Sequence, residues 1–425
     1  MITRWHWLLR QIFQKLWVIA GLYAALAVVT PFLAALVGPF LPSGLGERLG
    51  SGAVEAVLTI LASSMLSVVT FSLGIMVSAF GAATSSVTPR ATALLKSDRT
   101  TQQVLSTFLG AFLYSLIGII ALKAGAYSDN DRLVLFVVTG LVVAVIVVTI
   151  LRWIAHLTVF GLMDDTIAKV ETATREALEA RMEAPFLGGH CHAGDPPEGA
   201  LPVHHPEIGY VCHIDMEQLQ ETAETFELKL CLAALPGTFL HPSDVAIWYV
   251  APPDLRAEFD ARMLLSAFAI SMTRNFDQDP RFGLSVLAEI AERALSPAVN
   301  DPGTAIDILG RAVRLLTPWA EKQEPKLEFS RVGVPPLRLS DAFEDVFSPI
   351  ARDGAGVFAV QIRLQKSLLV LIRHAPEVFG RAAGLMSEEA MTRCRDLMLP
   401  SELDRLEAVA SEIAELAGPV RGRPI

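Results

Sequence analysis

The stretch from Ala53 to Arg90, AVEAVLTILASSMLSVVTFSLGIMVSAFGAATSSVTPR, constrains this chain more than any other. Its apolar length exceeds the ~20 residues that a helix needs to cross a bilayer core about 30 Å thick. In lipid the backbone N–H and C=O groups of such a segment are satisfied only within a helix or a closed barrel. Ser63, Ser67, Thr70, Gly74, Ser78, Ala82 and Ser86 recur three or four residues apart, which places them along one helical face. Small side chains in a row let a second backbone approach closely. The pattern predicts a membrane helix that packs on protein along this face.

A hydrophobic fraction of 52% over 425 residues, with a mean hydropathy of +0.44, is too apolar for an ordinary soluble chain. Three further apolar runs complete a set of four expected spans: Leu16 to Leu41, Ala53 to Phe80, Val104 to Leu122 and Leu133 to Leu151. Pro31 is expected to kink the first, because proline removes one backbone hydrogen bond. Residues 1–151 carry nine Lys/Arg against five Asp/Glu, a balance of +4, so the remainder holds −14 of the total −10. An acidic soluble part argues against nucleic acid as a partner, since phosphate backbones require the opposite sign.

Basic residues in short loops set orientation. Arg4, Arg10 and Lys15 precede the first span, Arg90, Lys96 and Arg99 lie between the second and third, and Arg152 follows the fourth. The alternate loops offer only Arg48, Lys123 and Arg132. The expectation is an inner-membrane protein with both termini in the cytoplasm, a reducing compartment compatible with the sparse Cys191, Cys212, Cys231 and Cys394.

The expected fold is an α-helical membrane domain of four transmembrane helices followed by a soluble α+β domain with a small sheet and a predominantly helical C-terminal part. The expected organisation is a membrane domain over 1–151, a helical stalk continuing from the fourth span over 152–187, a linker over 188–206, a small α/β segment over 207–252, a helical cytoplasmic domain over 253–417 and a disordered tail over 418–425. Strands are expected at 209–214, 228–235, 245–250 and 327–332, and helices at 216–226, 255–273, 281–295, 302–317, 339–350, 355–374 and 387–416. Pro236-Gly237 is a turn signal.

Three polar groups are candidates for chemistry. Asp277, Asp279 and Arg281 stand before an amphipathic helix whose far end carries Asn300 and Asp301. Carboxylates with an amide and a guanidinium suit a cation or a polar ligand. The same residues, each aspartate before a proline, suit helix N-caps with proline at the first helical position, so both readings stay open. His190, His192, His204, His205 and His213, with Cys191 and Cys212, have the donor types of a zinc site, but their spacing matches no standard one, and no metal or cofactor is assigned. Arg90 closes the second span as a snorkelling anchor or as a contact with lipid headgroups or an anionic permeant. Phosphate-loop, nucleophile-elbow, zinc-protease and dinucleotide fingerprints are absent, so no catalytic residue is assigned and the chain is not expected to be an enzyme.

Thr88-Pro89-Arg90 with Asp98 and TFLGAFLYSL (107–116), GYVCHID (209–215), NFDQDPRFG (275–283) and IAERALSPAVNDPGTA (290–305) together resemble a bacterial family of predicted membrane proteins known as domain of unknown function 2254. The resemblance covers nearly the whole chain, with Ala298 where a glycine is expected after Ser296-Pro297. It implies four spans and a soluble C-terminal region, and brings no activity or catalytic residues. The functional expectation is therefore a homo-oligomeric channel-like pathway in the bilayer, regulated by its cytoplasmic domain. The alternative is a membrane-anchored sensor or scaffold that binds a small ligand, an ion or a protein.

Overall fold

The computed structural model describes residues 16–37, 51–96, 98–127, 131–192, 194–253, 259–321 and 326–418. The chain divides into two compact units, Met1–Thr166 and Ile167–Ile425. Arg4, Arg10, Lys15 and Arg48, the tail beyond Gly418 and the side chain of Ser86 lie outside the described residues.

The first unit contains α1 (Leu16–Val37), α2 (Ser51–Ser86), the short α3 (Pro89–Lys96), α4 (Arg99–Lys123) and α5 (Asp131–Leu157). Four of these, over Val18–Leu36, Gly52–Thr84, Arg99–Lys123 and Asp131–Leu157, are long and apolar enough to cross a membrane. Pro31 lies inside α1. α4 is the central helix, half buried where the other three keep most of their surface outward. Its Phe108, Ala111 and Tyr114 pack with Ala27, Leu58, Leu61 and Ile146 into one core. Several polar groups inside this core are paired, as a medium without water favours, while the buried Tyr127 hydroxyl has no partner among the described residues. The Tyr114 hydroxyl lies 3.2 Å from Thr139 Oγ1, and Trp153 Nε1 donates to Ser72 Oγ at 3.1 Å. His156 Nε2 meets Asp98 Oδ1 at 3.3 Å, and Asp98 also caps α4 through the Thr101 N–H at 2.8 Å.

The expected continuous helix out of the fourth span is corrected. α5 ends at Leu157 and α6 (Met163–Glu183) starts afresh. Gly161 between them has φ +80°, a left-handed conformation that ends helices and favours glycine. A Cβ there would also lie 2.8 Å from that of Ala79.

The second unit holds two sheets and a helical part. The five-stranded sheet has the order β1 (His190–Cys191), β8 (Val332–Val334), β4 (Lys229–Leu232), β6 (Val245–Val250), β2 (Leu201–His204), with β1 and β4 parallel to β8 and the rest antiparallel. β3 (Gly209–Ile214) pairs antiparallel with β5 (Phe239–Leu240) and β7 (Phe268–Ser271) in a second sheet. The segment 188–206, expected as a linker, thus supplies both edge strands of the larger sheet. The helix expected over 255–273 is also corrected: among its described residues a 3-10 turn at Ala261–Ala267 leads into β7. Pairing of Phe268 with Ile214 and of Ile270 with Val211 outweighs the local helical composition. α7 (Met216–Thr225) covers one side, where Leu219, Leu228, Leu230, Leu232, Ile247 and Val332 form the core.

The helical part runs α8 (Pro280–Leu295), α9 (Pro302–Leu316), α10 (Leu339–Asp353), α11 (Phe358–His374), α12 (Pro376–Cys394) and α13 (Pro400–Ala417). The single helix expected over 387–416 is two, because Pro400 begins a new one whose Glu402 carboxylate accepts the Leu399 N–H at 3.1 Å. α6 joins this part along Val170, Thr174, Ala177 and Leu178. At Gly283 on α8 an added Cβ would lie 2.7 Å from Thr174 Cβ. Gly283→Ala is expected to destabilise the second unit by about 2 kcal/mol, the cost of overpacking outweighing the helix propensity gained. A lowered thermal midpoint of the full chain checks this.

Candidate functional site: a basic cleft on the open face of the larger sheet

Two of the aspartates singled out in the sequence, Asp279 and Asp301, are placed as helix caps. Asp279 is 2% exposed. Its carboxylate accepts Arg274 Nε and Nη2 at 2.7 and 2.9 Å and the Phe282 N–H at 3.1 Å. Gly237, at φ +93°, brings the backbone of the Pro236-Gly237 turn so close to it that an added Cβ would lie 2.7 Å from Asp279 Cγ. Asp301 caps α9, accepting the Thr304 hydroxyl at 2.6 Å and its N–H at 3.2 Å. The Thr304 hydroxyl holds this carboxyl below its usual range. Asn300 has φ +50° in the turn before it, and the Asp277 N–H donates to Asn275 Oδ1. Arg281 reaches Asp341 at 2.8 Å and Asp345 at 2.6 Å on α10. α8 separates Asp279 from the Asn300-Asp301 turn by sixteen residues, about 24 Å at 1.5 Å per residue. The two ends of this motif therefore form no common site.

The histidine-rich segment is likewise dispersed. β1 and β2 are the opposite edges of a five-stranded sheet, so His190 and His204 stand four strand spacings apart, roughly 19 Å. His204 Nδ1 meets the Asp244 carbonyl, while buried His205 accepts the Glu207 N–H. Cys212 and His213 lie on β3 in the other sheet. Burial lowers the pKa of His213 and, with Asp279 beside it, raises that of the Cys212 thiol. Among the described residues no three His, Cys, Asp or Glu side chains are grouped to hold a metal.

In the first unit Ser63, Ser67, Thr70, Gly74, Ser78 and Ala82 are all exposed. Val54, Leu58, Leu61 and Met65 of the same helix face the core instead, and Ser72 and Ala83 are small residues that do meet their own bundle. Ser63, Ser67 and Thr70 donate to carbonyls one turn back, at 3.0 to 3.1 Å, so their hydroxyls are satisfied without a neighbour. Arg90 is exposed on α3.

What the fold does assemble is a cleft of about 700 Å³ lined by His190, His192, Pro197, Lys229, Leu230, Cys231, Val250, Ser330 and Arg331. Its construction follows from strand alternation. Leu230, Leu232, Val332, Val334 and Ile247 point into the core. Lys229 and Cys231, Arg331 and Gly333, and His190 and His192 are their alternates and share the other face. The register places His190, Gly333 and Cys231 side by side on three adjacent strands. A Cβ on Gly333 would lie 3.1 Å from His190 Nε2 and 3.2 Å from Cys231 Sγ, so the missing side chain is what lets both lean over β8. Burial raises the pKa of the Cys231 thiol and keeps it protonated, which suits packing better than nucleophilic attack.

Sequence reading missed Lys229, Cys231, Arg331 and Gly333. The available signal was the alternation in HCH, KLC and RVGV, which shows which residues share a face but not which strands are neighbours.

The family described as "Predicted membrane protein (DUF2254)" matches residues 14–369. The chain belongs to this family. Two relatives of this DUF2254 protein, uncharacterised proteins of Mycobacterium tuberculosis and Mycobacterium bovis, are each 27% identical over 272 residues, covering 60% of this chain and 50% of theirs. The chain therefore spans about half the length of the curated relatives it matches. No solved structure matches it. The family motifs NFDQDPRFG and IAERALSPAVNDPGTA prove to contain the caps and turns that start α8 and α9, Asp279-Pro280 and Asp301-Pro302.

Proposed function

We propose that this protein is a membrane-anchored sensor whose soluble unit binds a small ligand in the cleft between His190, Lys229 and Arg331, rather than an enzyme. The observation that carries this reading is the cleft itself, whose volume falls in the ~300–1,000 Å³ range of small-molecule sites. Asp279 and Asp301 are engaged in caps, Asp279 also with Arg274, which favours a binding role elsewhere. The basic short loops favour an inner-membrane location with both ends in the cytoplasm. A thermal-shift screen of the full chain in detergent, with sugars, amino acids, nucleosides and phosphorylated metabolites, tests it. A ligand at one hundred times its Kd stabilises by about 2.7 kcal/mol. The expected result is an upward shift with at least one class that disappears in Ser330→Trp, which fills the rim at an exposed position. A flat response across all classes would overturn the sensor reading.

A homo-oligomeric, channel-like pathway is the second reading, and it is favoured by the outward direction of the α2 stripe. A surface meant only for lipid carries no reason to line up serines, a threonine and a glycine, whereas a second copy can approach them closely. Gly74→Leu and Ser78→Leu are expected to lower the oligomeric state in detergent and any conductance after reconstitution. A wild-type monomer would end this reading.

A further inference from the structure

The cleft gathers two cationic side chains in a part of the chain whose net charge is negative. The soluble part of the chain is strongly acidic, and several of its arginines, Arg274, Arg281, Arg311, Arg314, Arg352 and Arg373 among them, each meet a carboxylate. Arg331 meets no carboxylate among the described residues, and its side chain donates at 3.3 Å to the neutral carbonyl of Leu228. The Lys229 ammonium likewise meets no carboxylate among the described residues. The two are neighbours by construction. β4 and β8 pair Leu230 with Val332 and Cys231 with Gly333, so one residue earlier the same register sets Lys229 beside Arg331. Like charges side by side across strands destabilise a sheet. His192 adds a ring nitrogen, Nε2, that is shielded from solvent and has no partner among the described residues, and Ser330 adds a hydroxyl at the rim.

We infer that the juxtaposed Lys229 and Arg331, with His190, His192 and Ser330, form a recognition site for the phosphate of a small phosphate monoester. A guanidinium presents a planar fork of donors to phosphate oxygens, an ammonium adds a compact charge, and together they offset a dianion better than a carboxylate. The cleft is several times larger than one phosphate, and Pro197 and Val250 give it an apolar margin, so it has room for an organic body. This inference rests on the sensor reading, of which it specifies the ligand.

Calorimetric titration of the full chain in detergent tests it with glycerol 3-phosphate, glucose 6-phosphate and adenosine monophosphate, each against its unphosphorylated counterpart, and with inorganic phosphate. Nanodiscs containing phosphatidic acid or phosphatidylcholine form a second arm. The expected result is binding by at least one monoester that its neutral counterpart lacks, weakened at least tenfold in Lys229→Gln and in Arg331→Gln and unchanged in Lys366→Gln, a remote exposed control. Binding confined to phosphatidic acid would assign the same phosphate chemistry to a lipid headgroup. Equal binding of neutral counterparts, sensitive to Ser330→Trp, would overturn the phosphate inference and leave the sensor reading standing. Equal loss in Lys366→Gln would reduce the effect to general charge and overturn it too. Failure of every compound, charged or neutral, would remove both.

Discussion

Asp279→Ala is expected to lower the stability of the second unit by about 4 kcal/mol. The side chain is almost fully buried and makes three hydrogen bonds, two of them to Arg274. Removing one partner of a buried ion pair leaves an uncompensated charge, at a cost of about 3–5 kcal/mol. Here the lost N-cap of α8 adds about 1 kcal/mol. Arg274, whose guanidinium also lies 5.2 Å from the Phe282 ring centre, is then held against an apolar surface without its counterion. For a unit of this size the thermal midpoint is expected to fall by roughly 10 °C. Asp279→Asn separates the two contributions, because the amide oxygen can still accept the Phe282 N–H while the charge is gone. Midpoints measured by tryptophan fluorescence in all three proteins give the comparison, and an unchanged midpoint in Asp279→Ala would contradict the account.

Glu171→Gln is expected to cost about 3 kcal/mol at neutral pH and progressively less in acid. Glu171 on α6 is 6% exposed. It receives Arg311 Nη1 at 2.6 Å and Arg314 Nε at 2.9 Å from α9, and Arg175 at 3.0 Å from its own helix. Burial alone would raise its pKa, but the hydrogen bonds and charges of Arg314 and Arg311 hold it below the ordinary value of 4.5. A carboxylate whose folded pKa is depressed contributes stability that is complete above its unfolded pKa and fades as pH falls through the folded one. The glutamine variant lacks that contribution at every pH. Denaturation curves of the two proteins should therefore lie furthest apart near neutrality and converge below about pH 4.5. A gap that widens in acid would show that the arginines are compensated elsewhere.

These two residues mark where local sequence stops being informative. Asp279 before Pro280, and Asp301 before Pro302, are legible as caps because a cap is settled within three residues. That Asp279 is also the counterion of Arg274 depends on the turn that brings Gly237 against it. Glu171 reads as one more charge on an amphipathic helix until α9 arrives with Arg311 and Arg314. The break at Gly161 was not read from the sequence, because a lone glycine between apolar runs is compatible with a continuous helix until its left-handed φ is seen. In 261–271 the composition favoured one helix, and the edge of β3 took Phe268–Ser271 as a strand, leaving a 3-10 turn before it.

The candidate site follows the same division. Alternation put Lys229 with Cys231 and Arg331 with Gly333 on one face of their strands. It could not place β1 next to β8, or β8 next to β4, because those pairings join residues far apart in the chain whose hydrogen-bonding edges are chemically alike.

The sequence alone determined the four apolar helices, their length, the spacing of small residues on α2 and the capped starts of α8 and α9. Each rests on periodicity or on contacts within a few residues, which any fold must respect. The tertiary structure decided that the small residues of the α2 stripe face outward and that Asp279 is also the counterion of Arg274. It also decided that Lys229 and Arg331, which meet no carboxylate among the described residues, line one cleft. Those outcomes depend on which surfaces become neighbours, and that is settled only when the whole chain chooses the packing that leaves the fewest apolar atoms and unpaired charges in the wrong medium.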